Sequence, residues 1–575
     1  MRRIRKQTAV LLSMLFLTQM LFFGVTPEAA SAASEAIYVA PGASGSGTKA
    51  NPMDLETAIK TVSAGQIIYL LEGTYEYSHT IKIQEGNDGK EGAYKTLMAY
   101  PGAEVVLDFS EQPFGQRGVL LAASYWHIFG ITIRGAGDNG MLLAGDYNRI
   151  EQCVFDGNKD SGLQISRDNT DYISVKDWPS YNYILNCTSR NNADPGGENA
   201  DGFAPKLTCG EGNVFDGCMA HNNVDDGWDC YAKDETGPIG RVTIINCIAF
   251  RNGQTENGTF TEDSDGNGFK LGGGGLGTPH LVVNCLAFEN QNCGFTDNNN
   301  PSAISLINCT SFNNNLSTKK MDFNVYRCKD GYAVNLLAFN EGKSKNQLKN
   351  LSGSHIVYAS GTKWYEITKH GVVNTSEKAY RGTQISKGLT AADFISAKAP
   401  VLGTDFHTYW REEDGSLDTR GFAMLTSTSA WADFATDGLA AGARFFAGAE
   451  FVTPETAEQI KNAAISGTAA TVTPTPTATT APKETLTPTP KPTATTAPKE
   501  TLTPTPKPPA TNIPTQGPIV SKAPGVTLTP TVIPDETIEE PLQYDEMPVV
   551  VACTVACVVI IGAAAGAIIL IWKKK

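Results

Sequence analysis

Histidine is scarce in this chain, and basic residues are outnumbered by acidic ones. The 575 residues include seven histidines, none of them in a Gly-His-Gly turn, and 46 Lys and Arg against 60 Asp and Glu. The resulting net charge of −14 disfavours a nucleic-acid partner. It also disfavours direct binding of any other polyanion, which suggests a mediating cation. The glycine run Gly272 to Gly275 lacks the Gly-Lys-Ser/Thr of a phosphate loop, so it indicates a close backbone approach or a flexible turn.

Charge is also missing from two long stretches near the ends, which predict the location of the protein. Arginines and a lysine precede an apolar run from Thr8 to Val25, which is typical of a secretory signal peptide over residues 1–33. Residues 549–572 are uncharged and precede lysines 573–575, which predicts a transmembrane anchor with these lysines in the cytoplasm. Residues 466–548 are rich in Pro and Thr, and 477–492 recur unchanged as 493–508, so we expect a disordered linker. The sequence therefore predicts export, with the chain held on the extracellular face of the membrane.

Glycine recurs in a regular context in the middle of the chain. In five stretches one glycine is followed by a residue that is both large and apolar: Ser161–Gln164, Asp201–Ala204, Asp226–Asp229, Asn267–Lys270 and Cys293–Thr296. Side chains alternate along a strand, so the residue after the glycine points into a core and the next one points outward. If each stretch is one rung of a stacked coil, neighbouring rungs lie about 4.8 Å apart. Asp229 then lies beside Lys270, and Asp201 beside Asp226.

A second repeat supports the stacked coil. Each of six cysteines is followed five residues later by asparagine; the cysteines are 153, 187, 218, 247, 285 and 309, and their spacing is 24 to 38 residues. Such repeats cannot bury a face alone, so they predict a solenoid of short strands, an all-β fold. We expect the asparagines to hydrogen-bond along the stack and the cysteines to pack as small apolar residues. The pairing of the remaining four, Cys209, Cys230, Cys293 and Cys328, stays open.

The predicted register collects acidic residues on one patch of surface. Asp201, Asp225, Asp226 and Asp229 are brought together there, next to the amine of Lys270. Bare carboxylates on adjacent rungs repel one another, so the cluster implies a bound cation. Ca²⁺ prefers several oxygen ligands, and clustered aspartates supply them.

The acidic motif resembles that of a known enzyme family. The segments Asn199–Phe203, Asn223–Asp229 and Asp265–Gly273 resemble the active region of polysaccharide lyase family 9, the pectate lyases. Together with the asparagine ladder and the segment from Tyr38 to Tyr75, the resemblance covers roughly residues 36–375.

The resemblance implies a fold, a reaction and roles for the clustered residues. The fold is a right-handed parallel β-helix, a pectin-lyase-like solenoid. Asp201, Asp225, Asp226 and Asp229 are implied to be ligands of a calcium ion, and Lys270 the Brønsted base. The implied substrate is pectate, a polygalacturonate, and the implied reaction is its cleavage by β-elimination. The family pattern lacks the tethered C-terminal tail predicted for this chain.

Elementary chemistry agrees with these roles. Elimination without water requires removal of the weakly acidic proton at C5 of a uronate, next to its carboxylate. A metal on that carboxylate stabilises the developing charge, and a neutral lysine removes the proton. A lysine base predicts an alkaline optimum. We expect the enzyme to be a monomer.

Two other functions remain open at this point. Paired carboxylates such as Asp225 and Asp226 also occur in β-helical polygalacturonases, which are hydrolases, although the scattered histidines do not favour that interpretation. A stacked-coil domain on a long linker is also compatible with a non-catalytic adhesin or carbohydrate-binding protein.

The sequence divides the exported part into two regions. Residues 34–375 are predicted as the β-helix, with a capping helix over Pro52–Ile59, and residues 376–465 as an extension that packs on or caps it. Lys206, Lys233 and Arg251 are interpreted as ordinary surface charges rather than substrate contacts, and His221 as a surface or turn residue.

Overall fold

The computed structural model describes residues 35–259, 263–314, 316, 321–342, 344–445 and 452–466. The predicted signal peptide and transmembrane anchor, and all but the first residue of the predicted linker, lie outside these ranges. None of the described helices has the length and apolar character needed to cross a bilayer.

The described chain winds into a parallel β-helix of three sheets, which confirms the predicted stacked coil. Strands are numbered β1 to β36 in chain order. Sheet 1 has thirteen strands: β1 (Ile37–Val39), β2 (Ile67–Leu70), β5 (Lys95–Ala99), β8 (Trp126–Phe129), β11 (Arg149–Glu151), β14 (Tyr183–Leu185), β17 (Asn213–Asp216), β20 (Val242–Ile245), β23 (Leu281–Val283), β26 (Ser305–Ile307), β29 (Gly331–Val334), β32 (Leu351–Ser354) and β35 (Gly371–Val373).

Sheet 2 follows sheet 1 in each coil. Its thirteen strands are β3 (Gly73–Glu76), β6 (Val105–Asp108), β9 (Thr132–Arg134), β12 (Val154–Asp156), β15 (Thr188–Arg190), β18 (Met219–His221), β21 (Ile248–Phe250), β24 (Leu286–Phe288), β27 (Thr310–Phe312), β30 (Leu337–Phe339), β33 (Ile356–Ser360), β34 (Lys363–Ile367) and β36 (Thr383–Ile385). Pairing is parallel until the last strands, where β35, β34 and β36 pair antiparallel.

Sheet 3 completes each coil and carries the aligned glycines. Its ten strands are β4 (Ile81–Ile83), β7 (Val119–Leu121), β10 (Met141–Leu143), β13 (Leu163–Ile165), β16 (Phe203–Ala204), β19 (Trp228–Asp229), β22 (Phe269–Lys270), β25 (Phe295–Thr296), β28 (Phe323–Val325) and β31 (Asn346–Leu348). All of its pairs are parallel and in register.

The cysteine ladder lies at the corner between sheets 1 and 2. All six cysteines are fully buried and none is in a disulfide. Four of them follow an asparagine with positive φ, for example Asn186 and Asn246 at 54°, a backbone region that asparagine tolerates better than most residues. Cys209, Cys230 and Cys328 are buried and form no disulfide within the described residues, and Cys293 is buried as well.

The asparagine ladder lies at the corner between sheets 2 and 3. Each side-chain amide donates to the side-chain oxygen of the next coil at 2.8 to 3.0 Å, from Asn158 through to Asn314. The ladder satisfies buried polar groups along the stack, as predicted from the sequence.

Helices are few in the described chain. Helix α1 (Leu55–Thr61) has Asp54 as its N-cap and packs its apolar face on the first coils. It begins three residues later and ends two residues later than predicted. Short 3₁₀ helices occupy Val175–Asp177 and Ala391–Asp393. Helices α2 (Phe406–Tyr409) and α3 (Pro454–Ser466) lie beyond the sheets.

The segment after the sheets packs along the side of the β-helix. Phe406, Trp410 and Phe422 contact the outward-facing aromatic residues Phe250 and Phe288 of sheet 2. Val452 and Ala457 pack in the same way against apolar side chains on the outer face of sheet 1. This burial leaves sheet 3 as the sheet that carries a polar, functional face.

Candidate active site

Three consecutive strands of sheet 3 bring the predicted site residues together. In β19 and β22, Asp229 and Lys270 are register partners. Asp226 donates its N–H to Asp201 Oδ1 at 3.2 Å, so these two aspartates also lie on neighbouring rungs. The structure therefore confirms the register that the glycine alignment predicts.

Core packing fixes this register. The rings of Phe203, Trp228 and Phe269 stack inside the coil with centroids 4.9 and 4.8 Å apart. A Cβ at Gly227 would lie 2.6 Å from the carbonyl oxygen of Gly268 on the next coil, so a side chain there would separate the rungs. With the aromatic residue inside, alternation sends Asp229 and Lys270 to the outer face.

Three carboxylates form a tight buried group, here called the aspartate triad: Asp201, Asp226 and Asp229. One oxygen of each lies within 4.8 Å of the others. Asp201 and Asp226 are 0% exposed and Asp229 is 4% exposed. Burial raises the pKa of Asp201 to about 6 and that of Asp226 to about 7, although a lysine partner opposes the shift in each case. The triad is therefore costly to ionise in the absence of further positive charge.

Lys270 reaches directly into the triad. Its Nζ lies 2.9 Å from Asp226 Oδ2, 3.7 Å from Asp229 Oδ1 and 3.2 Å from Asp265 Oδ2. Burial lowers the pKa of Lys270, but the surrounding aspartates raise it further, and the net pKa is well above its ordinary value. In this arrangement Lys270 carries its proton.

A second cation, Lys206, also enters the triad, and its interpretation as an ordinary surface charge is wrong. Its Nζ lies 2.6 Å from Asp201 Oδ2 and 3.5 Å from Asp229 Oδ2. The signal was present in the sequence, because Lys206 lies two residues after the outward-facing Ala204 and the same alternation applies.

Asp225 is buried nearby but lies outside the triad. Its Oδ1 accepts the N–H groups of Asp265 and Gly266, at 2.8 and 3.4 Å, and the hydroxyl of Ser264 at 3.3 Å. Burial and the neighbouring Asp226 raise its pKa well above the ordinary range. Asp225 thus holds the turn that leads into the strand of Lys270.

The triad has the chemistry of a site for a hard cation. Asp226 Oδ2 and Asp229 Oδ1 are buried and accept no hydrogen bond in the described part of the chain, although Lys270 Nζ lies near both. Buried carboxylate oxygens without donors are rare and call for a positive partner. Oxygen-rich acidic sites of this kind suit Ca²⁺. The residues present therefore fit a calcium ion.

The glycine run after Lys270 serves close approach rather than simple flexibility. A Cβ at Gly272 (φ +152°) would collide with Asn300, and one at Gly273 with the ring of Tyr231. Tyr231 in turn lies beside Lys270, with 5.9 Å between its ring centroid and Nζ. Glycine at position 273 thus lets Tyr231 approach the wall of the site, and glycine at position 272 makes room for Asn300.

Two further sequence interpretations are wrong and one is confirmed. Arg251 is buried, and its Nε donates to Glu289 at 2.8 Å while its Nη2 donates to the carbonyl oxygen of Pro400. His221 is buried and stacks on Phe250 with centroids 4.6 Å apart. Both are structural contacts under the extension. Lys233 is exposed, as expected.

Comparisons with known proteins decide the family. A family model described as "Pel9A-like, right handed beta helix region" matches residues 37–346. The chain is 41% identical over 426 residues to "Pectate lyase L" of Paenibacillus polymyxa (strain SC2), which covers 70% of this chain and 87% of that relative. The chain belongs to polysaccharide lyase family 9. The β-helix is therefore right-handed, and the protein is a polysaccharide lyase of the pectate lyase type.

Two further relatives of this family 9 chain show how far the likeness extends. "Pectate lyase L" of Thermoclostridium stercorarium is 48% identical over 282 residues, which are 48% of this chain and 22% of that much longer protein. A solved structure titled "Crystal structure of pectate lyase Pel9A" matches with a TM-score of 0.55 and 27% identity over 69% of this chain and 91% of that chain.

Proposed function

We propose that this family 9 lyase cleaves pectate, a polygalacturonate, by calcium-dependent β-elimination. The observation that carries the proposal is the contact of Lys270 with the buried aspartate triad, in which two oxygens, Asp226 Oδ2 and Asp229 Oδ1, accept no hydrogen bond from the described residues. Relatives named as pectate lyases support the substrate.

The metal ligands are proposed to be Asp201, Asp226 and Asp229, with Asp225 as the fourth. The contribution of Asp225 would come through Oδ2, because its Oδ1 already accepts donors from residues 264–266. Bound calcium would polarise the uronate carboxylate and stabilise the negative charge that develops as C5 loses its proton.

Lys270 is proposed as the base that takes the C5 proton. The proton moves to Nζ, the C–H electrons form the C4–C5 double bond, and the bond from C4 to the glycosidic oxygen breaks. The departing oxygen takes a proton from solvent. Lys270 lies next to the ligands, so the α-proton of a metal-held uronate would be within its reach.

Lysine accepts a proton only when it is neutral, and the aspartates oppose that state. Their charges keep the pKa of Lys270 high, whereas burial of the side chain lowers it. Once a cation neutralises the carboxylates, the lowering effect of burial remains. Activity should therefore need both the metal and an alkaline pH.

We also propose that the lyase is exported and held at the extracellular face of the membrane by residues 549–572. The support is the uncharged composition of that segment and the lysines after it. Fractionation of cells that express the full chain or a chain ending at residue 548 tests this. Release of the shorter chain alone into the medium is expected, and equal release of both contradicts the anchor.

The reaction is tested by incubating the full-length protein with polygalacturonate and Ca²⁺, with and without a chelator. Elimination creates a conjugated unsaturated uronate, so ultraviolet absorbance should rise with Ca²⁺ and stay flat with chelator. New reducing ends without absorbance would indicate a hydrolase. The absence of both products would indicate a carbohydrate-binding protein.

A further inference from the structure

A basic pocket lies on the β-helix far from the aspartate triad. It has a volume of about 1000 Å³ and opens between helix α1 and the first two strands of sheet 3. Its polar walls carry four basic side chains and two glutamines: Lys60, His79, Lys82, Arg117, Gln84 and Gln116. We call this the basic pocket.

Two of the four basic side chains in the basic pocket have no ion-pair partner among the described residues. Lys60 and Lys82 are exposed, and neither forms an ion pair with any residue that the structure describes. His79 lies 3.5 Å from Glu56, which is the one acidic side chain in the lining, and Arg117 lies 3.7 Å from Asp138. In a chain with a net charge of −14, this concentration of unneutralised cations calls for an anionic ligand.

The frame of the pocket is held in place by hydrogen bonds between its walls. Thr80 Oγ1 donates to the carbonyl oxygen of Arg117 at 2.7 Å, which joins the first rung of sheet 3 to the second. Asn87 Nδ2 donates to the carbonyl oxygen of Ile59 at 2.9 Å, which joins helix α1 to the loop after β4. The basic side chains therefore project from a rigid concave surface.

The pocket and the triad lie on the same sheet. Lys82 faces outward from β4 between buried Ile81 and Ile83, as Lys270 does from β22. Six rungs separate these two strands, which is about 29 Å at the ordinary spacing of ~4.8 Å. Leu142, which lies on the same row between them, is only 1% exposed, so the outer face of the sheet is covered at that position.

We propose that the basic pocket is a remote binding site for carboxylates of the polyuronate chain whose other part occupies the aspartate site. The proposal rests on the proposed function, because the class of ligand is taken from it. Lys60, Lys82 and Arg117 supply point charges for the uronate carboxylates, and Gln84 and Gln116 supply amides for the hydroxyls. This site needs no metal.

Two sites on one polymer act as a bivalent clamp. A chain bound in the pocket is presented to the aspartate site at a raised effective concentration, provided that it is long enough to span both. The pocket should therefore strengthen the binding of polymer and leave the chemical step unchanged. Oligomers shorter than the span should gain nothing.

The test compares two double variants of the full-length protein. Lys60→Ala with Lys82→Ala removes two charges from the pocket. Lys363→Ala with Lys369→Ala removes two exposed lysines from the opposite end of the β-helix and keeps the net charge matched. The substrates are polygalacturonate and trigalacturonate, at low and at 0.3 M salt.

At low salt we expect KM for polygalacturonate to rise about fivefold in the pocket variant, with kcat unchanged, and the difference to shrink at high salt. KM for trigalacturonate should not change. Lys60→Arg with Lys82→Arg should restore KM. The same KM for polygalacturonate in both double variants would show that the basic pocket does not bind the polymer. An equal rise in KM for trigalacturonate would contradict the proposal as well.

A binding measurement separates this proposal from the proposed function. Sedimentation of the protein with polygalacturonate in the presence of chelator reports the pocket alone. Binding by the wild type that the pocket variant loses supports the pocket even if no lyase activity is found. Equal binding by both proteins, or equal binding of fully methyl-esterified polymer, contradicts it.

Discussion

Two groups of buried aspartates on the same sheet differ in how their oxygens are satisfied. On the later rungs, Asp297 Oδ2 accepts the N–H groups of Tyr326, Arg327 and Cys328 at 2.5 to 3.2 Å, and its Oδ1 accepts Arg327 Nε at 2.6 Å. Asp322 accepts the Ser344 hydroxyl at 2.7 Å and the Asn340 amide at 3.3 Å. On the earlier rungs, Asp226 Oδ2 and Asp229 Oδ1 accept no hydrogen bond from the residues that the structure describes, and instead face the ammonium group of Lys270 at 2.9 and 3.7 Å.

The contrast shows that burial of a carboxylate does not by itself make a cation site. All four residues are almost fully buried, and two of them are structural. What distinguishes the aspartate triad is the shortage of donors together with the convergence of three carboxylates within 4.8 Å. The later aspartates fasten turns, whereas the earlier ones contact a lysine and are the proposed ligands of a metal.

The largest expected effect is the loss of activity when the side chain of Lys270 is removed. Lys270 is a cation that contacts the aspartate triad. Lys270→Ala should lower kcat on polygalacturonate by at least about 10³-fold, because the proton acceptor is removed while the strand and its core residue Phe269 remain. The measurement is the initial rate of absorbance increase, with circular dichroism as the check on folding.

Lys233→Ala is the matched control, because Lys233 is exposed on the loop that follows the strand of Asp229. It should keep the rate of the wild type. Substantial activity in a folded Lys270→Ala protein would remove Lys270 from the mechanism and leave the triad as a cation site only.

The second expected effect is on calcium affinity, and its test compares an aspartate of the triad directly with one of the later aspartates. Asp226→Asn should weaken Ca²⁺ binding by about 100-fold, because the charge of the ligands sets the affinity of such sites. Asp297→Asn should leave Ca²⁺ affinity unchanged and lower the free energy of unfolding by about 2 kcal/mol. This is less than the ~3–5 kcal/mol of a fully buried pair, because a quarter of Arg327 is exposed. Calorimetric titration with Ca²⁺ and denaturant unfolding measure the two quantities. A similar loss of Ca²⁺ affinity in both variants would mean that the shortage of hydrogen-bond donors does not distinguish a cation site from a structural aspartate.

The register of the site could be predicted from the sequence because it depends on the backbone repeat. The glycine and the aromatic residue after it recur on four consecutive rungs of sheet 3, from Phe203 to Phe295, so the facing of Asp229 and Lys270 follows from alternation. The asparagine and cysteine ladders could be predicted for the same reason, since each is a side chain stacked on its own kind.

Other features depend on contacts between distant segments, and sequence periodicity does not encode them. His221 and Arg251 are buried by the extension around Phe406 and Pro400, more than 140 residues away. The pairing of Arg327 with Asp297 lies outside the acidic motif, and the basic pocket combines helix α1 with two separate rungs. Lys206 could have been predicted, had alternation been followed for two further residues.

The smallest expected effect concerns Asp322 and the pH dependence of stability. Burial raises the pKa of Asp322 to about 7, and its hydroxyl, amide and backbone partners only partly offset this. The fold thus favours the protonated form, so the stability that Asp322 contributes is complete below about pH 4 and is lost as the pH rises through about 7. Asp322→Asn cannot ionise, so the free energy of unfolding of the wild type should fall relative to the variant by up to ~1.4 kcal/mol per pH unit over this interval. The measurement is denaturant unfolding of both proteins in chelator at several pH values. The result to compare is the slope of the free energy of unfolding against pH, because the amide in Asp322→Asn also alters the hydrogen bonds and so shifts the absolute values. If the free energies of unfolding of the two proteins changed with pH in the same way, Asp322 would be ionised in the fold and its hydrogen-bond donors would be enough to stabilise the charge. The number of donors would then no longer distinguish the structural aspartates from the triad.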